Sequence, residues 1–243
     1  DVSAPVSTDK IANVVAVIPA YNEERSLAKV LLLTQRHVDK VIVCDDGSMD
    51  MTAEIAERLG ATVVRHEGNM GKGEALRTLF RETMRLDPDV VVTLDGDGQH
   101  DPDEIPELVK PIVAGKSDIV VGSRYIRGAK TDSPLYRRIG LRLINSLARK
   151  AANLSTNDIQ SGFRAYSMKA VKEIASCEEK GFGIENEQLV VAAKRGLRVM
   201  EVPIRIRYRG LGKTSKKFFL FHGGELLATI LRLVMEERPL LFL

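Results

Sequence analysis

Short β-branched runs, each closed by a polar or glycine-rich break, recur through the first half of the chain: Val14–Ile18, Val41–Cys44, Ala61–Arg65, Val90–Leu94 and Ile119–Val121. They are too short for core helices and rich in valine and isoleucine, so they predict buried strands. Helical spacing fills the gaps. Residues 23–36 place Leu27, Val30, Leu31 and Thr34 on one side. Asp50 suits the N-cap of a helix through Leu59 that Gly60 closes. A helix is expected from about Glu74 to Leu86, and Pro102 opens another to about Ala114. The second half predicts helices near 137–153, 168–176 and 185–195, a strand at 198–206, and an amphipathic stretch at 216–237. Strands alternating with helices predict an α/β fold, a mostly parallel sheet with helices on both faces.

In such sheets ligands bind beyond the carboxyl ends of the strands. The polar clusters fall there: Tyr21-Asn22-Glu23 after the first strand, Asp45-Asp46 after the second, Asp95-Gly96-Asp97 after the fourth and Ser123-Arg124-Tyr125 after the fifth. Their equivalent positions predict one shared site.

Composition narrows the classes. The 243 residues suffice for a core without disulfides, and Cys44 and Cys177 lack metal-ligand spacing. A reducing compartment follows. With 36 Lys+Arg against 33 Asp+Glu the net charge is +3, too mild to indicate a nucleic-acid partner. Basic residues concentrate, however, in 124–149, where Asp132 is the one acid, and in 198–217, where Glu201 is. These segments are either solvated faces or contacts for a local anion such as phosphate or a lipid headgroup. The polar start shows no signal peptide, and no stretch reaches the length of a membrane span. The final Pro239-Leu-Leu-Phe-Leu243 reads as a frayed tail or the first residues of a membrane segment.

Two carboxylates flanking one glycine at a strand end, Asp95 and Asp97, with Gln99 and His100 following, form a compact oxygen site for Mg²⁺ or Mn²⁺. The other reading of Asp-Gly is an exposed turn. Asp45-Asp46 can accept hydrogen bonds from a base or a ribose, or can cap a helix. Gly68-Asn-Met-Gly71-Lys72-Gly73 is neither a P-loop nor a dinucleotide fingerprint, and reads as a turn with one useful lysine.

PAYNE, DDGSMD, GKG, DGDGQHDP, GSRY, SGFR and EVPI follow one another in an order and spacing that resemble the family 2 glycosyltransferases of GT-A fold. Within them the chain is similar to the dolichyl-phosphate mannose or glucose synthase branch, over residues 13–217. The resemblance implies a Rossmann-like GT-A catalytic domain at 13–217, a leading segment 1–12 outside it, and an amphipathic membrane-proximal helix at 218–243. It implies nucleotide contacts from Pro19, Tyr21, Glu23, Cys44, Asp46, Asp95, Gly96 and Lys216. It implies a metal and diphosphate site at Asp95, Asp97 and Gln99. It implies that Arg124, Arg137 and Arg209, with Arg207 a rival for the last, hold donor and acceptor phosphates, and that Asp97 and these arginines are the catalytic set. Asp158, Ser161, Gly162 and Arg164 match the SGFR element, and Glu187 an acidic position on the next helix. The branch can carry a lysine near Gly183, where this chain has glycine.

The implied reaction is inverting, metal-dependent transfer of a hexose from GDP-mannose, UDP-glucose or UDP-N-acetylglucosamine to a polyprenyl phosphate, at the cytoplasmic face of a membrane. A sugar hydroxyl acceptor needs a general base, whereas a phosphate monoester, with a second pKa of about 6, needs only positioning cations. The basic segments favour the phosphate. The other readings are a family 2 enzyme acting on a sugar hydroxyl, a sugar nucleotidyltransferase, and a non-catalytic nucleotide-sugar binder.

Overall fold

Strand β1 (Val14–Ala20) is flanked on both sides and sets the frame. In this computed structural model, residues 12–126, 130–131, 156–181 and 183–206 are described. The order from β1 is α1 (Leu27–Thr34), β2 (Lys40–Asp45), α2 (Thr52–Arg58), β3 (Thr62–Arg65), α3 (Lys72–Leu86) and β4 (Val90–Thr93). A 3₁₀ turn (Pro102–Glu104), α4 (Ile105–Val113), β5 (Ile119–Ser123) and β6 (Lys130–Thr131) follow. The chain then forms β7 (Arg164–Ser167), α5 (Met168–Ile174), α6 (Ile184–Lys194), β8 (Val199–Pro203) and β9 (Arg205–Ile206).

The main sheet has the order β3-β2-β1-β4-β7-β5-β8, and β6 pairs with β9 in a separate two-stranded ladder. Every pairing in the main sheet is parallel except those of β7, which runs antiparallel to β4 and β5. The period of two along β1 divides the core. Val15 and Val17 face a layer containing Leu79 and Phe80 of α3, Val171 of α5 and Leu189 of α6. Ala16 and Ile18 face Leu27 and Leu31 of α1 and Leu108 of α4. Helices on both faces therefore enclose the predicted sheet.

The structure departs from the sequence expectations in local ways. Asp50 acts one residue earlier than an N-cap, its Oδ1 accepting Thr52 N at 3.0 Å. The helix expected from Pro102 opens as a 3₁₀ turn that Asp101 caps, and continues as α4. The expected strand 198–206 breaks into β8 and β9. The largest difference is β7, for which no strand was expected. Its alternation is real: Phe163 and Ala165 enter one core layer and Tyr166 the other. The run is short and opens on a charged residue, so it lacks the β-branched signature. Arg137, Arg207, Arg209, Lys216 and the expected helices at 137–153 and 218–243 lie outside the described residues.

Candidate active site

Because β7 is antiparallel, its amino end lies on the rim formed by the carboxyl ends of β4 and β5. Arg164 is in register with Thr93 on one side and Val121 on the other. The SGFR segment is thereby delivered to the aspartates that follow β4, and Thr93 Oγ1 donates to Gly162 O at 2.8 Å to fix the junction. Arg164 is itself fully buried. Its guanidinium donates to the carbonyls of Ile159, Ser161 and Glu185, bracing this segment against α6.

Lys72, Asp95 and Glu185 meet beneath that segment. Lys72 Nζ lies 2.7 Å from Asp95 Oδ1 and 2.7 Å from Glu185 Oε1. Burial alone would depress the ammonium, but Asp95 and Glu185 outweigh it and hold the lysine charged. The same pair acts on Asp95, where Lys72 overcomes the desolvation and keeps the carboxyl below the usual range. Gly162 leaves room for this cluster. A Cβ there would sit 3.0 Å from Lys72 Nζ and 3.1 Å from each Asp95 oxygen.

The lysine is aimed by its glycine neighbours. Gly71 has φ +96°, and a Cβ on it or on Gly73 would collide with the carbonyls of Lys180 and Glu179. Gly73 N instead donates to Lys180 O at 2.8 Å. Glu187 pins that strap from below, accepting Glu178 N at 3.0 Å and Glu179 N at 2.8 Å. The acidic position on the helix thus serves the scaffold, while Glu185, two residues earlier, faces the lysine. Sequence reading singled out Glu187 and left Glu185 unnoticed. The Gly-Lys-Gly pattern was the available signal that a backbone must approach closely there.

Asp97 differs from Asp95. Its carboxylate accepts Gln99 N at 2.9 Å and Gln99 Nε2 at 2.6 Å. Burial, and next the charge of Asp95, push its pKa up to about 7. Glu23, on the neighbouring loop, is also raised, first by burial, with Asp95 contributing. A Cβ on Gly96 would lie 3.5–3.6 Å from Glu23 Cγ, Ala20 Cβ and Ile18 Cγ2, so the turn between the β4 aspartates sits beside the β1 rim. Asp95, kept ionised by Lys72, disfavours charge on both Asp97 and Glu23, an environment that a cation would relieve. Among the described residues no group of three or more His, Cys, Asp or Glu is placed to hold a metal unaided. An ion held through Asp95 and Asp97 would take phosphate and water oxygens for its remaining positions. The residues present fit such an ion, with Asp95, Asp97 and Gln99 as its protein side.

His100 packs over Phe163 with ring centroids 5.2 Å apart. Burial drops its pKa to about 4, so it is neutral at physiological pH. Arg124, directly after β5, is locked to Asp158: Asp158 Oδ2 accepts Arg124 N at 2.9 Å and Nε at 2.7 Å, and Oδ1 accepts Nη2 at 2.7 Å.

On the other side of the rim, Asp46 is 3 % exposed and serves as a hub. It accepts Met70 N at 2.9 Å and Gly71 N at 2.8 Å, and its Oδ1 lies 2.7 Å from His66 Nδ1. Cys44 is wholly buried with its thiol 3.5 Å from His66 Nε2, and burial pushes the thiol up to about 12. Its side chain belongs to the core rather than to the crevice. Pro19 lies within β1, and Tyr21 projects beyond it, exposed. Asn22 and Ser48 tie these two loops together through Asn22 N to Ser48 Oγ (2.9 Å) and Met49 N to Asn22 Oδ1 (2.9 Å).

The sequence profile of glycosyl transferase family 2 matches residues 15–175. A dolichyl-phosphate hexose transferase of Haloferax volcanii is 35 % identical, over 91 % of this chain and 94 % of its own. The UDP-N-acetylglucosamine–dolichyl-phosphate N-acetylglucosaminyltransferase of Methanococcus voltae is 33 % identical, over 79 % and 84 %. Among solved structures, glucosyl-3-phosphoglycerate synthase from Mycobacterium tuberculosis, in complex with Mn²⁺, UDP and glucosyl-3-phosphoglycerate, superposes with a TM-score of 0.72 and 26 % identity, covering 92 % of this chain and 80 % of that one. The profile spans β1 to the end of α5, and so takes in the aspartates, the Gly-Lys-Gly turn and the SGFR segment described above. The chain belongs to glycosyl transferase family 2, has the GT-A fold, and is a glycosyltransferase of the dolichyl-phosphate sugar synthase-like branch.

Proposed function

We propose that this glycosyltransferase moves a hexose from a nucleotide-sugar donor to a polyprenyl phosphate, with a divalent cation bound at Asp95, Asp97 and Gln99. The observation that carries this reading is the charge layout of the rim. Asp95 and Asp97 after β4 repel one another and call for a cation, and Arg124, clamped by Asp158 just beyond β5, brings positive charge near Asp95. The polyprenyl phosphate acceptor is further supported by relatives named for dolichyl phosphate.

In this reading Tyr21 and the Asp46-pinned loop form the nucleoside wall. Lys72 and Gln99 hold Asp95 and Asp97 in place, so little reorganisation is needed when the donor diphosphate arrives. The bound cation would stabilise the negative charge that collects on the departing diphosphate. A phosphate monoester is already ionised near neutral pH and attacks without a general base. Arg124 would orient it, with Arg137 and Arg209 as further proposed partners, because a guanidinium matches phosphate oxygens in a forked pair. Attack opposite the leaving group inverts the anomeric centre. The place of action that goes with a lipid acceptor is the cytoplasmic face of a membrane, with 218–243 as the contacting segment.

A second reading has a hydroxyl acceptor, and the likeness to glucosyl-3-phosphoglycerate synthase favours it. One assay separates the two. The chain is incubated with Mg²⁺ or Mn²⁺ and with GDP-mannose, UDP-glucose or UDP-N-acetylglucosamine in parallel, against polyprenyl phosphate in vesicles or 3-phosphoglycerate in solution. Transfer to lipid from one donor, stopped by a chelator and restored by the metal, is the expected result. Transfer only to 3-phosphoglycerate would replace this reading with the second.

A further inference from the structure

Glu201 belongs to the EVPI motif, yet nothing in the reading above gives it a task. It sits on the edge strand β8, in register with Val121 of β5. Its carboxylate reaches across to the segment that leads into SGFR. Oε1 accepts Asn157 N at 2.9 Å and Asp158 N at 3.0 Å, and Oε2 accepts Asn157 Nδ2 at 2.7 Å. One residue therefore holds both main-chain donors of a turn more than forty positions away in sequence.

The next link is Asp158. It has no exposed surface, and its two oxygens take three N–H groups of Arg124. A buried carboxylate with a fixed backbone and a bidentate guanidinium partner allows very little rotational freedom. The direction of Arg124 is thus set by Asp158, and the position of Asp158 by Glu201. We propose that Glu201 is a positioning residue for Arg124, acting through Asn157 and Asp158 to fix the guanidinium at the end of β5 before substrate binds. This link rests on the reading of Arg124 as a phosphate-orienting group only for its effect on turnover. The mechanical coupling stands apart from it.

The physical reason for such a relay lies in the sheet. β5 ends at Ser123, and Arg124 lies beyond the last ladder partner, Ser123↔Pro203. Without an external hold, a long side chain at a strand terminus would sample several rotamers. A displacement of about 1 Å in an orienting group can reduce turnover on the order of a hundredfold.

The test uses the whole chain and two readouts. The first is hydrogen exchange at the Arg124 Nε–H, observed by ¹⁵N NMR and assigned by its loss in Arg124→Lys. Glu201→Ala should speed that exchange by about tenfold or more, because the Asp158 clamp loosens. Glu201→Gln should restore it to within about threefold, since its amide oxygen can still accept both main-chain N–H groups while Asn157 turns its own amide to match. An Arg124 Nε–H unaffected by Glu201→Ala would overturn the proposal, whatever the enzyme transfers. The second readout is a double-mutant cycle on transfer. Glu201→Ala alone should lower kcat by about tenfold or more with the donor KM little changed, and should add nothing in an Arg124→Ala background. Independent, multiplying effects would refute the relay. An Arg124→Ala variant with full turnover would instead refute the role given to Arg124 in the proposed reaction, and the exchange result would still decide the coupling.

Discussion

The two halves of the rim are held together differently. On the β3-β2-β1 side, the loops are pinned by neighbours in the fold and near-neighbours in sequence: Asn22 to Ser48 and Met49, Asp46 to His66, Met70 and Gly71. Each bond spans one βα unit. On the β4-β7-β5 side the ties are long. Lys72 reaches Glu185, Thr93 reaches Gly162, Arg124 reaches Asp158 and Glu201 reaches Asn157. The first side is a wall assembled locally. The second is a seam where separate parts of the chain must arrive together. A wall can loosen at one loop and still bind. A seam transmits a small error to every group it joins.

The seam is most exposed to change at Asp97. Asp97→Ala removes one carboxylate from the cation site and should lower transfer by about a hundredfold to a thousandfold. Activity at saturating Mn²⁺ within a few-fold of the unmodified chain would show that the site lies elsewhere. Gly162→Ala probes the same seam without removing any charged group. Its methyl would press on Lys72 Nζ and both Asp95 oxygens at 3.0–3.1 Å, with no strain from backbone conformation. These atoms must give way by a few tenths of an ångström, so kcat should fall about tenfold to a hundredfold while thermal stability changes little. An unchanged kcat would mean that the Lys72–Asp95 pair has slack the geometry does not suggest.

The same contrast explains what was legible in the sequence. The wall was readable because each unit is a β-branched run followed by its own polar cluster. Strands β1 to β5 and the four clusters at their ends could be placed from periodicity and turn residues alone. The seam depends on β7, a short strand opening on Arg164 whose antiparallel direction no local pattern encodes. Without that direction, SGFR is a motif with no address, and Asp158 cannot be matched to Arg124. Glu185 and Glu187 look alike on paper. Only the fold shows one turned to Lys72 and the other to the strap at 178–179. Cys44 closes the apolar run of β2 and is buried in the core beside His66, as a small hydrophobe at that position should be, while the nucleotide contact came from the resemblance alone.

A change confined to the wall should be milder and of a different kind. Asp46→Asn keeps the shape but leaves one acceptor oxygen where two now serve His66, Met70 and Gly71. At least one main-chain N–H of the 70–71 turn loses its partner. The donor KM should rise by about fivefold with kcat within about twofold, the signature of weakened ground-state binding. A fall in kcat with unchanged donor KM would place Asp46 functionally with the seam and erase the distinction between the halves.

The smallest expected effect is one of stability, and its sign follows from Asp97. Burial and the charge of Asp95 push its pKa up to about 7 in the folded chain, against the ordinary aspartate value of 3.8. Between those values the folded state holds more protons than the unfolded state, so stability falls as pH rises through this window. The penalty is complete above about pH 7 and absent below about pH 4. Asp97→Asn removes the titration. In metal-free buffer it should therefore be more stable than the unmodified chain at pH 8 by about 2 kcal/mol, with partial solvent access limiting the gain, and the gap should close on acidification. Urea unfolding at pH 8 and pH 5 measures it. Adding Mn²⁺ at pH 8 should stabilise the unmodified chain and leave the variant largely unaffected, because an ion that binds only the folded state raises its stability with the logarithm of its concentration over its Kd. Equal stabilisation of both would separate the raised carboxyl from the cation site. The repulsion between Asp95 and Asp97 would then be a strain of the seam itself, with no ion needed to relieve it.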